Sequence, residues 1–207
     1  MFPEAIETER LELERLTRDL VDPLDLYNLY ANSETIEEET RYISWSPHET
    51  PKETWDVLGQ FEKRWDKRED AVYAIFPREG EDGAGEFAGT TGLHLAWEKH
   101  AAGLGIWLRK PFWGRGYSGE RAAALFELAF SHLDLELVFV EHLPENDQSK
   151  RAIKKYIERF GGQYEGTLRN FIVDSDGAVH DAHRYSVLQE EWRAAVAEEY
   201  PTVVFSE

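Results

Sequence analysis

The sequence predicts an α+β fold, a mixed α/β chain with a mainly antiparallel sheet and helices on both faces. Three observations predict it. Two-residue apolar alternation and helical apolar spacing are interleaved along the 207 residues, so strands and helices share one unit. Glycine-bearing turns, Gly80 to Gly85 and Asp176-Gly177, sit between strand-like runs as hairpin connections. A strand-like run at 104–108 passes through a glycine loop directly into a helical pattern.

Taken in order, residues 10–17 alternate Leu11, Leu13 and Leu16 with charges and read as the first strand. Asp22-Pro23 supplies an N-cap and a first-turn proline, and Leu24, Tyr27 and Tyr30 carry a helix to Asn32. Residues 33–51 mix an acidic run with Tyr42, Trp45 and Pro47, and lead into a helix with Trp55, Leu58, Phe61 and Trp65 on one predicted core face. Residues 71–76 and 86–97 read as strands around the Gly80 to Gly85 loop, which joins two strands and is read as punctuation. After the strand at 104–108, Lys110-Pro111 ends it and Gly114 and Gly116 form a loop. Residues 119–132 are then helical, with Ala122, Leu125, Phe126 and Ala129 inward. A strand at 137–143, a helix from 147 to 160 ending at Gly161-Gly162, two strands around Asp176-Gly177 and a last helix near Gln189 complete the pattern.

Composition bounds the rest. With 42% apolar residues, 13% aromatics and seven tryptophans the chain has material for a sizeable core, and nothing reads as a linker, so residues 1–207 are taken as one domain. No apolar stretch approaches a membrane span and no signal pattern opens the chain, so a cytoplasmic location is expected and no membrane partner. The absence of cysteine removes disulfides, thiolate metal sites and cysteine nucleophiles. A net charge of −18 argues against nucleic acid, since the densest basic cluster, Lys150, Arg151, Lys154 and Lys155, is short and flanked by acids. Such acidity suits either a halophile-like surface or an ordinary acidic domain; the spread of acids along the whole chain favours the first.

A strand leading through a glycine loop into a helix presents free N–H groups at the positive end of the helix dipole, which is a site for an anion. Here the loop runs from Pro111 to Tyr117, Ser118 opens the helix, and glycines at 114 and 116 let the backbone approach phosphate oxygens. Arg115 can add charge or point to solvent, and a purely structural turn is the competing reading. Asn146 and Ser149 at the mouth of the next helix fit simple capping equally well.

The segments 104–108 (LGIWL), 113–118 (WGRGYS), 144–149 (PENDQS) and 166–170 (GTLRN) together resemble the RimJ/RimL-like branch of the GNAT acetyltransferases, over residues 7 to 189 with a C-terminal helix and tail beyond. The resemblance implies a six- to seven-stranded sheet in chain order, splayed between its fourth and fifth strands. It implies acetyl-CoA as co-substrate, the pyrophosphate held by Trp113, Gly114, Arg115, Gly116, Tyr117 and Ser118, and the rest of the cofactor along Ile106, Trp107 and Leu108. Trp113 stands where the family has a polar residue and Ser118 where it has a small one. Asn146 is implied to lie beside the pantetheine arm, and the Ser149 hydroxyl near the sulfur, where it could protonate the thiolate. The helix after Ser149 is about one turn longer than the family's, which makes Tyr156 a weak carry-over as acid.

Acetyl transfer to an amine needs a neutral nucleophile, stabilisation of the carbonyl oxygen, and a proton for sulfur. The second is expected from a backbone N–H of the strand carrying Ile106 to Leu108. An α-amine with a pKa near 8 is roughly 10% neutral at pH 7, whereas a lysine is under about 0.1% neutral. The expected acceptor is therefore a protein N-terminus of the ribosomal-protein type; small-molecule amines are the alternative, and an acyl-CoA-binding protein without turnover is a third. Many relatives place a glutamate where this chain has Gly103, so the base has to be found elsewhere. Glu141 and His142 are consecutive on a strand, one facing the cleft and one away, with Glu141 slightly preferred. His180 and His183 fall on opposite strand faces, so no metal is expected. Trp45, Pro47 and His48 lie in the segment that covers the acceptor side in this superfamily, and a homodimer is compatible with the resemblance.

Overall fold

The structure, a computed structural model, describes residues 1–174, 176–197 and 202–206. Its centre is a nine-stranded sheet in the order β7-β8-β6-β5-β4-β3-β2-β1-β9. The strands are β1 (Ala5–Glu7), β2 (Leu11–Arg15), β3 (Asp70–Pro77), β4 (Gly89–Ala96), β5 (Ala101–Leu108), β6 (Leu137–His142), β7 (Gln163–Val173), β8 (Val179–Leu188) and β9 (Val204–Ser206). Every neighbouring pair is antiparallel except β5 and β6. The order follows the chain only from β1 to β6. β8, not β7, lies against β6, because the hairpin folds back so that its second strand meets the sheet. The strand expected at 10–17 is β2; β1, which precedes it and pairs with it as a hairpin, and β9, which pairs with β1, account for the larger strand count.

Among the described residues, six α-helices flank the sheet: α1 (Pro23–Asn32), α2 (Ile36–Thr40), α3 (Pro51–Asp66), α4 (Tyr117–Glu127), α5 (Asp147–Arg159) and α6 (Gln189–Ala195). Their starts have local chemical causes. Asp22 accepts from the N–H of Leu24 and Asp25 ahead of Pro23, and Thr50 accepts from that of Glu53 ahead of Pro51. α4 runs into a π turn, Leu128–His132, closed by the Leu133 N–H on the Leu128 carbonyl.

β3 shows why helices cover both faces: almost all of it is buried, and its residues alternate between two cores. Ala71, Tyr73 and Ile75 join Leu125, Phe126, Ile153 and Trp192 from the α4, α5 and α6 side. Val72 and Ala74 join Leu26, Tyr30, Ile36, Leu58 and Trp107 on the α1 to α3 side. The inward set predicted for α4 (Ala122, Leu125, Phe126, Ala129) has no exposed surface. α3 departs from its predicted face. It buries Thr54, Leu58 and Trp65, while Trp55 is 50% exposed beneath the Arg18 guanidinium, 4.5 Å from its ring.

Candidate active site

β5 and β6 pair in parallel over three rungs, Ala101 with Leu137, Ala102 with Val138 and Gly103 with Phe139, and there the ladder stops. Beyond it Leu104 to Leu108 and Val140 to His142 diverge. On its other edge β5 stays paired with β4 as far as Leu108. The Arg109 N–H bonds the Ala88 carbonyl, so by alternation Gly103, Gly105 and Trp107 spend their N–H groups on β4, while Leu104, Ile106 and Leu108 turn theirs toward the split. A polar group entering the split therefore meets the Ile106 backbone, not that of Trp107. The side chains alternate as well. Ile106 and Leu108 pack against the α4 and α5 core, and Trp107 lies buried on the opposite face.

The chain leaves β5 through a 3₁₀ turn, Lys110–Phe112, and enters α4 through Gly114 and Gly116, at φ of 76° and 84°. Both conformations are left-handed and favour glycine. Gly116 is the N-cap and supplies no side chain to the first turn. Among the described residues, no backbone or side-chain acceptor takes the N–H groups of residues 114 to 118. The result is a set of free donors at the positive end of α4. The side chains around them are turned to bracing. Trp113 donates its indole N–H to the Leu108 carbonyl (2.7 Å). Arg115 reaches Asp82 (2.6 Å to its carbonyl, 2.9 Å to its carboxylate), and the buried Tyr117 donates to Glu81 (2.7 Å). The loop from Gly80 to Gly85 thus buttresses the donor loop from outside, a role its hairpin reading did not include. Arg115 and Tyr117 offer the site backbone, not side-chain, donors.

The third component is the start of α5. Asn146 accepts from the Ser149 N–H (2.9 Å), as its capping reading requires, and both residues are half-buried. The Ser149 hydroxyl makes no hydrogen bond to any described residue, so its proton is available.

A donor loop at a helix start, a strand pair that splays beside it, and a capped helix opening at the far side together form a cleft suited to a long anionic thioester. Residues 10–156 match the family model of the Acetyltransferase (GNAT) domain. The chain belongs to the GNAT acetyltransferases. It is an acetyl-CoA-dependent N-acetyltransferase, and the free N–H groups of 114 to 118 and the open β5–β6 edge fit that co-substrate. The acetyltransferase is 24% identical over 190 residues to p20 of Bacillus licheniformis, an uncharacterized N-acetyltransferase, covering 91% of this chain and 98% of the relative. Over 109 residues it is 33% identical to YdaF of Bacillus subtilis, described as a candidate ribosomal N-acetyltransferase, covering 52% of this chain and 57% of that protein. The crystal structure of a candidate acetyltransferase from T. thermophilus superposes with a TM-score of 0.72 at 29% identity, over 95% of each chain.

Other sequence-predicted residues fall less well. Glu141 faces Arg184 directly across the β6–β8 ladder and is bound by it: the Arg184 Nε lies 2.8 Å from Oε1 and a second nitrogen closes on the same oxygen. Its carboxylate is therefore committed, which corrects its candidacy as proton acceptor. His142 points to the other face, buried, with Nδ1 at 2.7 Å from the Leu143 carbonyl. Tyr156 is buried and its hydroxyl has no hydrogen-bond partner among the described residues; burial raises its pKa and the nearby Arg121 guanidinium only partly offsets this. It is a poor proton donor to a thiolate. His180 is taken by Asp174 (2.6 Å), and His183 packs on Tyr164 and His142, so the two histidines have separate surroundings. The segment bearing Trp45 and His48 builds an aromatic wall with Tyr30 and Trp107, ring centroids 4.9 to 5.8 Å apart. His48 is anchored there by Thr54 (2.7 Å).

Burial lowers the pKa of both His48 and His142, the latter with help from the neighbouring His183. Each then binds fewer protons folded than unfolded between its folded value and about 6.5, so stability falls as pH drops through that interval. Between pH 7.5 and 5.5 His142→Phe is expected to flatten the stability-against-pH curve by up to about 1.4 kcal/mol per pH unit. Chemical denaturation at each pH measures it, and parallel curves for the two proteins would refute the neutral, buried assignment.

Proposed function

We propose that this acetyltransferase acylates primary amines, with the α-amino group of a protein N-terminus as its preferred acceptor. The observation that carries the reading is the cleft itself: free donors at the start of α4 for the pyrophosphate, and the β5–β6 split for the pantetheine arm and acetyl group. In this reading Gly114 to Ser118 hold the diphosphate through backbone N–H groups, while Trp113, whose own N–H is taken by the Lys110 carbonyl, braces the loop. The Ile106 N–H receives the carbonyl oxygen as negative charge develops on it, Asn146 sets the mouth of α5, and Ser149 supplies the proton that the departing sulfur needs. The likeness to YdaF supports a ribosomal-type acceptor, and so does the larger neutral fraction of an α-amine at neutral pH. The net charge of −18 suits a cationic acceptor, and we read the same acidity as a surface for high salt. We further place the chain in the cytoplasm as a single acetyltransferase domain.

The test is mass spectrometry of acetylation across a library of peptides with free N-termini, with N-blocked lysine peptides and small amines alongside. Transfer to free N-termini at least ten times faster than to N-blocked lysine peptides is the expected outcome. Transfer confined to small amines or to lysine would overturn the acceptor assignment.

A further inference from the structure

The family position for a carboxylate base is occupied by Gly103, and the structure shows what lies beside it. His94 of β4 is the direct ladder partner of Gly103, and Gly103 is the partner of Phe139 in the last β5–β6 rung. His94, Gly103 and Phe139 thus form a row across one face of the sheet at the point where the split begins. This is the face that carries Trp107 and the aromatic wall.

The His94 ring is held at Nδ1, and among the described residues nothing bonds Nε2. Nδ1 lies 3.1 Å from Oδ1 of Asp70, whose side chain is 2% exposed, whereas that of His94 is 53% exposed. Asp70 is itself fixed by Arg64, at 2.7 and 3.1 Å. A carboxylate beside Nδ1 favours the tautomer with its proton there, leaving the Nε2 lone pair as acceptor. Nε2 lies over Gly105, the next β5 residue on this face and the first beyond the last rung. A Cβ added to Gly105 would come within 3.0 Å of it, and one added to Gly103 would meet the Phe139 ring at 3.1 Å. Glycine inside a strand marks a close approach by another group. Here Gly105 makes room for the imidazole and Gly103 for the Phe139 ring beside it, at the head of the split.

We propose that His94 is the general base of acetyl transfer, with Asp70 as its positioning residue. This rests on acetyl transfer taking place in the β5–β6 split. The acceptor ammonium gives one proton to Nε2, directly or through one water, and His94 passes it to solvent. The neutral nitrogen attacks the thioester carbon, a C–N bond forms and the C–S bond breaks. The sulfur leaves with the electron pair and takes its proton from the Ser149 hydroxyl, and the second proton lost by the nitrogen restores that hydroxyl, through water where the two are apart. The competing groups are otherwise engaged: Glu141 by Arg184, His142 within the opposite core, His48 by Thr54.

The test uses whichever amine of the acceptor panel the wild-type enzyme acetylates fastest, so failure of the N-terminal assignment leaves it readable. The charged groups placed on this face are Asp70 of β3 and, behind it, Arg64 of α3 with Glu69 nearby, and, beyond the Phe139 ring, Arg184 of β8 paired with Glu141 of β6; the β5 residues beside the imidazole are Gly103 and Gly105. His94→Gln is expected to lower kcat by about 10² to 10³-fold and to remove the acidic limb of the pH profile, with acetyl-CoA affinity within twofold of wild type. His94→Ala should regain activity with added imidazole, and Asp70→Asn should displace the limb without abolishing it. A kcat within threefold of wild type in His94→Gln overturns the proposal. So does an activity loss accompanied by lost acetyl-CoA binding or lost folding, because the role would then be structural.

Discussion

Ser118→Glu is expected to raise the Kd for acetyl-CoA by about 100-fold, or roughly 2.7 kcal/mol, while leaving the protein folded. Ser118 is the second residue of α4, where the N–H groups of residues 117 and 118 have no internal acceptor among the described residues. A carboxylate there occupies the positive end of the helix and stabilises it by about 0.3–1 kcal/mol. The same charge faces the pyrophosphate and takes up the donors it would use. Affinity and stability are thus expected to move in opposite directions, which a general structural defect would not produce. Calorimetry with acetyl-CoA reads the first and thermal unfolding the second, with Ser118→Ala as the near-neutral control. An affinity within fivefold of wild type would mean that the diphosphate is held elsewhere.

Glu120→Ala is expected to cost about 3 kcal/mol of stability. Its carboxylate accepts from the Thr8 hydroxyl (2.6 Å), from the Arg10 backbone N–H (2.7 Å) and from Arg10 Nε (2.8 Å), with a further guanidinium nitrogen at 2.6 Å. Thr8 is buried and the Glu120 side chain is only 16% exposed, so the Thr8 hydroxyl would be poorly rehydrated, while the Arg10 guanidinium, 35% exposed, would recover part of its hydration from solvent. These bonds tie the β1–β2 turn to the first turn of α4. From there Arg10 also donates to the Arg115 carbonyl (3.0 Å), so acetyl-CoA affinity should weaken in parallel. Glu120→Gln keeps one acceptor and is expected to lose about half as much. Urea unfolding measures both, and a loss under about 1 kcal/mol for the alanine variant would show the network to be solvent-compensated.

Elements whose causes lie within a few residues were legible. Asp22-Pro23 and Thr50-Pro51 start helices by capping and fixed φ, and Gly114 and Gly116 are needed wherever a strand turns into a helix through left-handed backbone. The α4 core face followed from the 3.6-residue period. Where several aromatics share one helix the period was less decisive: Trp55 lies outside the buried set, half exposed, with the Arg18 guanidinium stacked on its ring. The exchange of β7 and β8 in the sheet order was not legible, since a hairpin signal at Asp176-Gly177 states that two strands pair but not which of them meets β6.

The site divides along the same line. By itself the sequence determined the α+β class, the glycine loop that opens α4, the Asn146 cap and the family to which these belong, because backbone turns and helix starts are set by neighbours in the chain. Only the tertiary structure decided which side chains are free to act. Glu141 is neutralised by Arg184 and His94 is aligned by Asp70 through contacts spanning 43 and 24 residues, set by strand register. A one-residue slip in β4 would put His94 on the other face, so its position over Gly105 is a property of the assembled sheet.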